Sequence, residues 1–96
     1  MPAFETLDYP NMMGNIASEL SRVIRVLENN EFKKTKDYLW NSLQLVEILK
    51  GKFPNIETCR LFEFLASQWV ATPDIRDIEA LQRYALNFYL NSLSKH

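Results

Sequence analysis

Apolar side chains recur along this chain at intervals of three and four, the spacing that lays them on one face of a helix turning 100° per residue. Over residues 12–29, Met13, Ile16, Ala17, Leu20, Val23, Ile24 and Leu27 fall on one stripe, and Arg22, Arg25 and Glu28 lie off it. The pattern predicts a first helix here. Asn11 suits its N-cap, and Asn29-Asn30 suits its stop, because asparagine tolerates the left-handed backbone that ends helices. A second helix is predicted over 32–50, with Phe32, Tyr38, Leu39, Leu43, Leu45, Val46 and Leu49 facing inward. Gly51 then stands just past its end, and Pro54 bars continuation. Asn55 caps a third helix over 56–71, whose predicted inner face is Cys59, Phe62, Leu65, Ala66, Trp69 and Val70. In the fourth, Thr72-Pro73-Asp74 reads as an N-cap, a proline at the first helical position and an acid in the first turn. Ile78, Leu81, Tyr84, Ala85, Phe88 and Tyr89 form its core stripe. Residues 1–10 carry no period and read as an extended arm, leaving 11–96 as a single helical domain.

The predicted links are short, roughly two to five residues, and short links make consecutive helices antiparallel neighbours. The expected fold is therefore all-α, a small antiparallel up-down four-helix bundle with a short extended N-terminal arm. Composition agrees. Thirteen leucines outnumber ten valines and isoleucines combined, and two glycines and four prolines are too few to turn an all-β chain of 96 residues.

Charge and chemistry narrow the function classes. A net charge of −1 and a pI near 5.8 argue against nucleic acid as the main partner. No apolar run approaches the ~20 residues of a membrane span, so no membrane partner is expected. Cys59 is the only cysteine, which rules out an intramolecular disulfide and points to a reducing cytoplasm. The only histidine is His96, and no Glu-x-x-His occurs, so neither a metal nor another cofactor is expected. Cys59 and the serines have no neighbouring base in sequence to activate them, and no glycine-rich loop cradles a phosphate. Asp74, Asp77 and Glu79 cluster where acids favour a helix dipole, which explains them without catalysis. The Arg-x-x-x-x-His signature of HEPN-type helical RNases is not met, since Phe88 stands where the histidine would follow Arg83. The chain is expected not to be an enzyme.

Two features exceed what a plain bundle needs. Lys33, Lys34 and Lys36 open the second helix, where positive charge opposes the dipole. Segment 22–52 carries seven basic and four acidic residues. Arg22, Arg25, Lys33, Lys34 and Lys36 thus form a candidate anion patch, the basis of an alternative reading as a nucleic-acid- or anion-binding accessory protein. The second feature is apolar surplus. Trp40, Ile48, Phe64, Leu86 and Leu90 fall off the predicted core stripes, and large apolar side chains exposed together mark interaction surfaces. These five are the candidate interface of a self-associating, adaptor- or chaperone-like interaction module. A homodimer is its simplest form, because twofold association is the commonest assembly.

Overall fold

The computed structural model describes residues 3–94, which form a 3-10 turn at Phe4–Thr6 and four α-helices: α1 (Tyr9–Glu28), α2 (Phe32–Lys52), α3 (Ile56–Val70) and α4 (Ile75–Leu93). Among the described residues there is no strand, and the helices make the expected four-helix bundle. Among the described residues no helix is long and apolar enough to cross a membrane.

Helix α1 is the central element. One side of it packs on α2 and another on α4, while α2 also carries α3. The core follows from this order. Met12, Met13, Ile16, Leu20 and Val23 of α1 are fully buried against Leu39, Val46 and Leu49 of α2 and Ile78 and Ala85 of α4. Thr35 and Ser42 are buried too, each returning its hydroxyl to a carbonyl one turn back, Glu31 O and Tyr38 O. A hydroxyl bonded this way enters an apolar interior without an unpaired donor.

The helix ends are set by identifiable caps. Asp8, rather than Asn11, opens α1, accepting from the Asn11 N–H at 3.0 Å. Pro10 then sits in the first turn, where a missing N–H costs nothing. The N-terminal arm is correspondingly shorter than 1–10, and its Phe4 and Leu7 pack against the core. At the other end Asn30 adopts φ 58°, and Asn30 N–H and Glu31 N–H donate back to Leu27 O and Val26 O. That pair of bonds is a Schellman stop. Asn55 caps α3 in a reciprocal capping box with Thr58.

Two further predicted boundaries move, and one core assignment fails. Gly51 lies inside α2, without the left-handed φ expected of a terminating glycine, and Phe53 closes the helix. Neither Thr72 nor Pro73 belongs to α4. Asp74 caps it, its own N–H held by Gln68 Oε1 at 2.8 Å. Phe32, assigned to the core of α2, is instead 63% exposed at the helix start.

Candidate functional site

Helices α3 and α4 are consecutive, yet their backbones do not pack against each other. At the linker end they are tied by side chains. Gln68 on α3 accepts from Asp74 N and donates to Asp77 Oδ2 at 3.2 Å. Beyond that tie a groove of about 570 Å³ runs between them. Ile56, Leu61 and Phe64 line it from α3, and Leu81 and Tyr84 from α4. Leu61 is buried at its floor, whereas Ile56, Phe64 and Tyr84 are 70%, 38% and 41% exposed. Two charged residues of α3, Glu57 and Arg60, complete the lining. Both are exposed, and among the described residues neither has an ion-pair partner.

The floor of the bundle near this groove is aromatic. Tyr9 meets the rings of Phe53 and Phe88 edge-on, at centroid distances of 5.1 and 5.0 Å. Its hydroxyl is buried without a hydrogen-bond partner. Burial pushes the Tyr9 phenol above its ordinary value of 10.0, and the Glu57 carboxylate adds to the rise. Removing an unpaired buried hydroxyl removes a desolvation cost, so Tyr9→Phe is expected to raise stability by about 1 kcal/mol in chemical denaturation. The sign with pH follows from linkage. Below pH 10 the phenol is protonated in both states; above it, the unfolded chain ionises first and is favoured. Wild-type stability therefore falls relative to Tyr9→Phe as pH rises past 10, which parallel denaturant titrations measure.

The five candidate interface residues do not make one surface. Only Phe64 lines the groove. Trp40 is 46% exposed but lies against Trp69 of α3, with ring centroids 5.1 Å apart, so part of its apolar surface serves the α2–α3 contact. Ile48 stands on the outer side of α2. Leu86 lines a separate cleft of about 240 Å³ with Asn11, Gly14, Asn15, Ser18 and Tyr89, and Leu90 follows it on the outer side of α4. The sequence pattern had put Tyr84 in the core and left Ile56, Glu57 and Arg60 without a role. Nothing in spacing along one helix announces them, because the groove exists only through the separation of α3 from α4. Within α3 the buried face is turned from the predicted one. Thr58, Leu61, Leu65 and Gln68 are buried, while Cys59 and Val70 are exposed.

The five basic residues are likewise dispersed in role. Arg22 pairs with Glu19 at 3.4 Å and Lys34 with Glu31 at 3.1 Å, and that hydrogen bond holds the Lys34 ammonium above its usual range. Lys36 donates to the carbonyls of Trp69 and Ala71 at the end of α3, lying over the Trp69 ring. A lysine that opposes the dipole of its own helix thus serves the C-terminus of the antiparallel neighbour. Arg25 falls in the last turn of α1, where its charge is favourable, and Lys33 is exposed. Lys52 is employed similarly to Lys36, donating to Glu5 O and Leu7 O and pinning the N-terminal segment to the end of α2. Among the described residues no three His, Cys, Asp or Glu side chains gather as a metal site, and His96 lies outside them.

Comparison with protein-family models, curated proteins and solved structures gives no significant match.

Proposed function

We propose that the protein is a non-enzymatic helical interaction module, adaptor- or chaperone-like, whose docking surface is the α3–α4 groove. The observation that carries this reading is the convergence of Ile56, Phe64 and Tyr84, three large and exposed side chains from two helices, on one concave apolar strip. Scattered exposed apolar residues need no explanation, but a contiguous concave set from separate elements is how helix-binding grooves are built. Its two walls belong to one bundle, and their backbones do not meet. Its charged lining, one carboxylate and one guanidinium on the exposed rim, supplies orientation rather than chemistry.

A displayed library of amphipathic helices, panned against the protein at submicromolar concentration, tests the reading. Enriched peptides should carry apolar anchors at i, i+3 or i+4, and i+7. Their affinity should fall at least about tenfold on Phe64→Asp, since a charge placed in an apolar pocket must be desolvated. Failure to enrich such peptides, or enrichment of peptides indifferent to Phe64→Asp, overturns it.

A further inference from the structure

The groove admits a specific occupant. We propose that it receives α3 of a second copy of this chain, forming a twofold, antiparallel α3–α3 contact; this rests on the groove being the docking surface. The argument is one of charge and register. Glu57 and Arg60 sit one turn apart on the groove side of α3, exposed, and neither is engaged within the subunit among the described residues. In an isologous contact residue i meets residue j and j meets i. A twofold axis passing between positions 58 and 59 of two antiparallel helices sets Glu57 against the partner's Arg60 and Arg60 against the partner's Glu57. The same axis sets Ile56, the most exposed apolar residue of the groove, against the partner's Leu61. One register thus pairs both charges and covers the most exposed apolar side chain of the groove.

The position of that axis suits the shape of the groove. Gln68 ties α3 to Asp74 and Asp77 at the linker end, so the slot is closed there and free beside the N-terminal half of α3, where Ile56, Glu57 and Arg60 lie. Residues 56–61 of each α3 then enter the open end of the other subunit's groove, with Tyr84 as the opposite wall. The pairing is closed, because the twofold uses both slots at once.

Charge exchange tests the proposal on the full chain. Sedimentation equilibrium should find a dimer of the wild type within the micromolar range. Glu57→Arg or Arg60→Glu alone turns two attractions into two repulsions and should weaken association at least about tenfold. The double variant Glu57→Arg/Arg60→Glu restores both pairs across the axis and should recover the dimer. Circular dichroism verifies that these exposed substitutions leave the fold intact. A nitroxide on the native Cys59, exposed and next to the axis, should give an intermolecular distance on the order of 20–30 Å, as expected of helices packed ~8–10 Å apart. A wild type that stays monomeric to about 100 μM overturns the second-copy assignment. If helical peptides still bind the groove in that case, the interaction-module reading stands and the occupant is a different protein. A dimer unaffected by the single reversals, or not recovered by the double, places the interface elsewhere and also overturns it.

Discussion

Replacing Leu65 with alanine is expected to lower stability by about 2–5 kcal/mol, the range for deleting a fully buried leucine side chain, and to do so unevenly along the chain. Leu65 is 0% exposed on α3, whose one backbone neighbour among the described helices is α2. Helix α1 is held from two sides, but α3 rests on α2 and, among the described residues, is hydrogen-bonded to the start of α4 through Gln68. A cavity under α3 therefore weakens its docking first. Against a total of about 5–10 kcal/mol for a domain of this size, the loss is large enough to populate a form in which α3 detaches while α1, α2 and α4 stay packed. Native-state hydrogen exchange measures it. Protection should fall in α3 well before α1, and a uniform fall across all four helices would contradict the arrangement. The same substitution should weaken anything bound in the groove, since Leu65 supports one of its walls.

Gly14→Ala is expected to destabilise by about 1–2 kcal/mol, the reverse of what helix propensity alone gives. Alanine normally gains about 1 kcal/mol over glycine inside a helix. Here a Cβ at position 14 would stand 2.9 Å from Cδ1 and 3.0 Å from Cγ of Tyr89. Those are the near atoms of a half-buried ring, not the tip of a flexible chain, so α4 itself must give way, and overpacking of that kind costs typically 1–3 kcal/mol. Thermal melts should show a fall of several degrees. Gly51→Ala is the internal control. Nothing lies within 4 Å of a Cβ built there, and the residue is helical. It should gain roughly 0.5 kcal/mol. If both substitutions stabilise, the close approach of α1 to the Tyr89 ring is wrong.

The helices were legible because their apolar periods are strong. The face of α3 was not, and the reason is chemical. Two of its buried residues, Thr58 and Gln68, are polar side chains whose hydrogen bonds are consumed by caps: Thr58 in the box with Asn55, Gln68 at the start of α4. A pattern that counts only apolar residues discards them and rotates the inferred face toward Cys59 and Val70. Gly51 failed for a related reason. Glycine stops a helix when a positive φ is needed, and at this end Phe53 closes the turn without one. Lys36 looked misplaced because its electrostatic partner, the end of α3, is 33 residues away in the chain. Phe64 falls off the predicted core stripe and is exposed, but its groove companions Ile56 and Tyr84 do not stand out in the sequence, because a groove between helices is a property of their separation and no single helix encodes it.

The central place of α1 has a consequence for how the chain assembles during synthesis. Its flank toward α2 is covered as soon as the next helix is made. The flank toward α4, which includes the Gly14 approach to Tyr89, has no cover until the last helix has been translated. The pairing that completes the interior is thus the one most distant in sequence, and closing long loops is the slow step of folding. Throughout that interval the apolar flank of α1 on a nascent chain lacks the cover that α4 gives it, and exposed apolar surface of that kind favours aggregation.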